Sequence, residues 1–211
     1  MKINEIVARN TVIIFADALT AQFVNLSQQI GRAVPSKVVL NYEDMIPHLT
    51  LYSTRFPKKN LAKLERHLSE LAKGVKPFSL KLFSKSITAG TVFIDAQLSE
   101  DLYQLHEKFV DGLNSLREGA YDEKELELPG LTQGMKNSLV TYGMLLAKEE
   151  YRPHLTVARP FDSQRSKEAL AVLPGKIDFT SEITSVSLVE TGLNGTCRRV
   201  LRTYPFDTIL K

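Results

Sequence analysis

Arg152-Pro153-His154-Leu155-Thr156-Val157-Ala158-Arg159 is the stretch from which the rest of the chain can be read, because its centre has already occurred once, in Pro47-His48-Leu49-Thr50-Leu51-Tyr52. The tetrapeptide Pro-His-Leu-Thr uses two of only four histidines in 211 residues. Both copies sit in runs of β-branched and apolar residues, and along a strand the side chains alternate between faces. His48, Thr50 and Tyr52 are therefore expected on one face, with Leu49 and Leu51 on the other. Arg152, His154 and Thr156 likewise oppose Leu155 and Val157. Each copy offers an imidazole and a hydroxyl on one side and a core anchor on the other. The copies stand half a chain apart, so two such strands laid side by side would put both imidazoles over one cleft.

Outward from these strands, the periodicities predict an order that repeats. Ile6 to Phe15 reads as a strand, followed by a helix from about Leu19 to Ile30 with Gly31 as its stop. Lys37 to Leu40 is a short strand leading into the first Pro-His-Leu-Thr. Leu61, Leu64, Leu68 and Leu71 mark an amphipathic helix ended by Gly74. Phe78 to Ile87 and Thr91 to Ala96 form a hairpin across Ala89-Gly90. Ser99 caps a helix carrying Leu102, Leu105, Phe109, Leu113 and Leu116. Glu118 to Gly130 is acidic, a candidate lid or a solvated connection. Thr132 caps a helix ending at Gly143, just before the second Pro-His-Leu-Thr. A helix from about Ser163 to Leu173 follows, then strands Ile183 to Glu190 and Arg198 to Tyr204 joined through Gly192-Leu193-Asn194-Gly195. The sequence "strand with His-x-Thr, helix, hairpin" thus occurs twice, which predicts an internal duplication about a pseudo-two-fold axis.

Composition sets outer limits. With 43% hydrophobic residues the chain can bury a sizeable core, and its longest early apolar run, Thr11 to Ala16, is too short for a signal-peptide core or a membrane span. The single cysteine, Cys197, rules out an internal disulfide and fits a reducing compartment, so a cytoplasmic monomer with no membrane partner is expected. A net charge of +3 without a Lys/Arg tract tolerates a short anionic ligand and does not advertise a long polyanion.

Two imidazoles across a cleft can divide general-base and general-acid roles, because both protonation states are available near neutral pH. The threonine hydroxyls can donate to non-bridging phosphate oxygens as charge develops. The catalytic candidates are therefore His48, Thr50, His154 and Thr156, in a constellation suited to phosphodiester chemistry without metal or cofactor. Neither histidine has a second ligand at short spacing, and HExxH, CxxC, GxSxG and glycine-rich phosphate loops are all missing from the sequence. Tyr52 can stack on a base or pack. Arg152 can steady a phosphate or form an exposed salt bridge. Arg159 is one residue out of phase with His154, so its place depends on how Pro160 bends the chain. His67 reads as an amphipathic-helix histidine and His106 as a core one.

The pair His48-Leu49-Thr50-Leu51 and His154-Leu155-Thr156-Val157 resembles the two His-x-Thr/Ser-x motifs of the two-histidine (2H) phosphoesterase superfamily. Tyr151 to Arg159, and the helix ending in Tyr142-Gly143 before it, are similar to the second-motif region of the 2′-5′ RNA ligase and RNA 2′,3′-cyclic phosphodiesterase branch. The resemblance implies an α+β bilobal fold over residues 1–211, with two antiparallel β-sheets forming a central cleft and helices on the outside. It also implies metal-independent cleavage of 2′,3′-cyclic phosphates or 2′-5′ phosphodiesters in RNA ends or nucleotides. Cyclic oligonucleotide signals, ADP-ribose cyclic phosphates, small non-nucleotide diesters and a silent nucleotide-binding module stay open.

Overall fold

A computed structural model describes residues 5–207, and among these it contains nine β-strands and five α-helices. The strands β1 (Ile6–Ile14), β3 (His48–Pro57), β8 (Ser185–Thr191) and β9 (Cys197–Pro205) form an antiparallel sheet in the order β3-β1-β8-β9. A second antiparallel sheet runs β2-β6-β5-β4-β7, from β2 (Ser36–Val39), β4 (Phe78–Thr88), β5 (Thr91–Ala96), β6 (His154–Pro160) and β7 (Phe179–Ile183). The chain exchanges strands between them. After β3, the helix α2 (Leu61–Ala72) leads to the hairpin β4–β5, which lies in the sheet of β6. After β6, the helix α5 (Ser166–Val172) leads to the hairpin β8–β9 in the sheet of β3. That reciprocal exchange is the duplication expected from the repeated order of elements.

Each sheet turns one face to helices and leaves the other for the cleft. The helices α1 (Asp17–Ala33) and α5 cover the five-stranded sheet, while α2 and α3 (Glu100–Asn114) cover the four-stranded one. Phe23 of α1, Leu64 and Leu68 of α2, and Phe109 of α3 are almost fully buried in one cluster with Leu49, Leu51, Leu155 and Val157 of the histidine strands. The apolar alternates of both motifs are thus pinned in the core, and each histidine is held to the opposite side. The Ser99 cap accepts from the Leu102 N–H and the Thr132 cap of α4 (Gln133–Tyr142) from Met135. Ala89 and Gly90 both have positive φ, the backbone of a two-residue turn matched to strand twist.

Two expectations need correction. The first helix runs past Gly31 to Ala33. Gly31 is there for proximity, since a Cβ at this position would stand 2.9 Å from Cγ2 of Val39, so the residue lets α1 settle on β2. The strand expected from Ile183 to Glu190 is divided: Ile183 ends the unforeseen β7 in one sheet, and Ser185 begins β8 in the other. Thr184 sits at the switch, and its carbonyl accepts from the Phe206 N–H. No helix among the described residues is long and apolar enough to cross a membrane.

Candidate active site

His48 and His154 open their strands, and both are held in the same way. Nδ1 of His48 lies 2.8 Å from the carbonyl of Ile46, and Nδ1 of His154 lies 2.7 Å from that of Arg152. A carbonyl only accepts, so Nδ1 carries the proton in each ring and Nε2 is left for the cleft. The intervening Pro47 and Pro153 explain the shared geometry, because a residue preceding proline is driven to extended backbone. The backbone beside each of these carbonyls is itself tied: the Ile46 N–H donates to the Cys197 carbonyl, and the Ala96 N–H donates to the Pro153 carbonyl. His48, Thr50, His154 and Thr156 line one cleft of about 320 Å³, together with Ser53, Phe93, Glu125 and Arg159.

Beyond the threonines, the alternation of faces is broken at the same place in both strands. Thr11 and Val12 of β1 stand opposite Tyr52 and Thr50, so Leu51 is an extra residue with no partner, a β-bulge. In β6, Phe93 and Val92 stand opposite Thr156 and Ala158, leaving Val157 as the extra one. After a bulge, the faces exchange. Tyr52 is thereby turned into the core, where its hydroxyl donates to the Tyr142 carbonyl at 2.6 Å. Burial pushes its pKa up. Ser53 takes the cleft position, and its counterpart five residues beyond the second histidine is Arg159. The bulge at Val157, rather than Pro160, brings Arg159 into phase with His154. Arg152 is exposed and does not line the cleft.

The surroundings set the protonation of the pair. Burial lowers the pKa of both imidazoles, partly offset by the carbonyls on Nδ1. Beyond that they differ: the charge of His154 lowers His48 further, whereas Asp95 raises His154. Asp95 faces His154 across the β5–β6 ladder and accepts from Ser84 Oγ at 2.9 Å and Ser86 Oγ at 2.8 Å. Phe93, two residues along β5, stacks obliquely on His154 with ring centroids 4.3 Å apart. Asn10 organises the other wall, its Oδ1 accepting from Ser53 at 2.6 Å and Thr191 at 2.9 Å. Ser53, Asn10, Phe93, Asp95 and Glu125 were not singled out from sequence. Ser53 alone had a signal there, its equal distance from His48 to that of Arg159 from His154.

His106 is fully buried, as its place on the apolar face of α3 suggested, and it couples the two motifs. Its Nδ1–H donates to the carbonyl of the bulged Leu51 at 2.7 Å, and its Nε2 accepts the Lys148 N–H at 2.8 Å. The ring lies parallel to Tyr151 at 3.7 Å, and the Tyr151 hydroxyl donates to the Thr50 carbonyl at 2.9 Å. The chain entering the second motif is in this way fastened to the backbone of the first. His67 lies on the α2 surface, with Nδ1 against the Lys63 carbonyl. The acidic stretch 118–130 is anchored: Arg55 pairs with Asp122, Asn60 donates to Glu118, and Arg117 donates to the Ala120 and Val140 carbonyls. From that anchored stretch, Glu125 reaches the cleft. Among the described residues, no three His, Cys, Asp or Glu side chains are grouped to hold a metal ion.

Comparison with known proteins places this geometry among relatives. A family model described as the 2'-5' RNA ligase superfamily matches residues 23–195. A Bacillus licheniformis protein carrying the provisional name of phosphoesterase is 33% identical over 90 residues, a segment covering 41% of this chain and 53% of that protein. The matched part thus spans about half the length of that relative. Among solved structures, Escherichia coli LigT in complex with 3'-AMP superposes with a TM-score of 0.62 at 14% identity, covering 97% of this chain and 100% of LigT. A Thermus thermophilus protein gives 0.58 at 18% identity over 94% and 97% of the two chains. At such identities, the structures speak for the fold.

Proposed function

The chain belongs to the 2'-5' RNA ligase superfamily of two-histidine phosphoesterases, and from that premise we propose that it is a metal-independent phosphodiesterase acting on 2′,3′-cyclic phosphate or 2′-5′ phosphodiester bonds of nucleotides or RNA ends. The observation that supports this best is the matched pair of imidazoles, each with Nδ1 tied to a backbone carbonyl and Nε2 left for one cleft. One Nε2 takes the proton of an attacking water as its oxygen bonds to phosphorus. The other protonates the departing ribose oxygen as the phosphorus–oxygen bond breaks. Thr50 and Thr156 donate to the non-bridging oxygens, and Arg159 balances their charge. The capture of 3'-AMP by LigT supports a nucleotide ligand for this cleft.

Asp95 breaks the symmetry of the pair. A carboxylate beside His154 favours its protonated form, and that charge in turn disfavours a proton on His48. His154 is accordingly assigned as the acid and His48 as the base for hydrolysis. The test is turnover of 2′,3′-cyclic nucleotides, 2′-5′-linked dinucleotides and a cyclic-phosphate-ended RNA oligomer in EDTA, for wild type, His48→Ala and His154→Ala. Cleavage with a bell-shaped pH profile and a loss of about 10²-fold or more in each variant is expected. A rate that EDTA abolishes, or that survives either substitution, would sink the two-histidine mechanism. Binding of nucleotide with no turnover in wild type would leave a recognition module instead.

A further inference from the structure

The cleft does not end at the histidines. Past Ser53, Glu125 and Gly195 it opens into a cavity of about 680 Å³, between the outer part of β3, the turn from Gly192 to Arg198 and the stretch that carries Asp122 and Glu125. That is room for a nucleoside. The cations on its wall have partners: Arg55 pairs with Asp122, and Arg198 with Glu190 at 3.3 Å, a carboxylate that also holds Arg199. Asp44 accepts from Asn41 Nδ2 at 3.0 Å. Glu125 has no hydrogen-bond or ion-pair partner for its carboxylate among the described residues, although it stands on the boundary that cleft and cavity share. Burial, and then the neighbouring Asp122, push its pKa up, against the opposing effect of Arg55. The remaining wall is uncharged, with the hydroxyls of Thr191 and Thr196 and the exposed apolar residue Leu193.

A chamber lined by three carboxylates, Asp44, Asp122 and Glu125, against two guanidiniums, Arg55 and Arg198, disfavours a second phosphate, and Glu125 is the carboxylate left without a partner. It suits an uncharged group with hydrogen-bond donors and an apolar face, which describes a nucleobase with its ribose. We propose that this cavity takes the nucleoside of a substrate bearing a single phosphate, that Glu125 accepts a hydrogen bond from its amino or hydroxyl groups, and that Glu125 thereby discriminates against the same nucleoside carrying a further 5′-phosphate. This assignment rests on the phosphodiesterase reading of the adjoining cleft. It narrows the substrate class to nucleoside cyclic monophosphates and related singly phosphorylated ends, as against internal linkages of a chain running through the cavity.

The experiment is calorimetric binding of adenosine 3′-monophosphate and adenosine 3′,5′-bisphosphate to wild type, Glu125→Gln and Glu125→Lys. Hydrolysis of adenosine 2′,3′-cyclic phosphate with and without a 5′-phosphate is measured on the same three proteins. Wild type should favour the singly phosphorylated ligand by about tenfold, the effect of one like charge a few ångströms away in a partly hydrated site. Glu125→Gln should narrow the ratio and Glu125→Lys reverse it. An unchanged ratio across the three proteins, a wild type that prefers the bisphosphate, or a wild type that binds neither nucleotide would overturn the assignment. If wild type hydrolyses no cyclic phosphate but the binding ratio follows Glu125, the catalytic reading fails and the cavity's occupant stands. If hydrolysis proceeds and the ratio ignores Glu125, only the cavity assignment fails.

Discussion

Replacing His106 with phenylalanine separates the support of the site from its chemistry. The phenyl ring keeps a flat face to stack on Tyr151 but removes the donor to Leu51 and the acceptor for Lys148. A carbonyl and an N–H are then left buried without partners, at roughly 1–3 kcal/mol each when nothing rearranges, so a loss of roughly 2–6 kcal/mol is expected at pH 7. Burial depresses the His106 pKa to about 4, while the unfolded chain titrates near 6.5. Between those values the unfolded state binds the extra proton, so the wild type is favoured fully above pH 6.5 and loses stability as pH falls toward 4. The linkage amounts to about 2 kcal/mol by pH 5 and about 3 kcal/mol by pH 4. Phenylalanine takes up no proton, and His48 and His154 titrate in both proteins, so the difference isolates His106. Urea unfolding at pH 7, 6 and 5, followed by circular dichroism, should show the gap closing by about 2 kcal/mol at pH 5. A gap constant with pH, or a variant within 0.5 kcal/mol of wild type at pH 7, would refute the account of His106 as a neutral, doubly bonded tie.

The remaining predictions concern the cleft. Asp95→Asn removes the charge that raises His154, so the alkaline limb of the pH–rate profile should move to lower pH with the acid limb in place. Movement of the acid limb alone would reverse the acid and base assignment. Arg159→Ala should lower kcat/KM by roughly 10- to 100-fold through loss of a charge-assisted contact to phosphate, whereas Arg152→Ala, exposed outside the cleft, should stay within about threefold. Steady-state kinetics on the best cyclic phosphate decides, and equal losses in the two variants would count against the bulge-derived placement of Arg159.

The sequence by itself determined a good deal. The caps at Ser99 and Thr132 and the Leu61-Leu64-Leu68 stripe are local signals, set by hydrogen bonding and periodicity within one element, and they survive folding unchanged. The same holds for His48, Thr50, His154 and Thr156, because alternation along a single strand is enough to set imidazole and hydroxyl against a buried leucine. Beyond the threonines, strand alternation predicted the wrong faces. Tyr52 was expected beside Thr50 and Arg159 out of phase with His154, yet bulges at Leu51 and Val157 turn the tyrosine inward and the arginine toward the cleft. A bulge is a mismatch in count between two strands, so it exists only once β1 or β5 lies alongside. Likewise, only Thr184 separates β7 from β8 in sequence, yet the two strands lie in different sheets, divided where the chain leaves one for the other. Glu125 and Asp95 meet the histidines only because separate elements converge there, and no spacing along the chain records an encounter made by sheet pairing and loop anchoring.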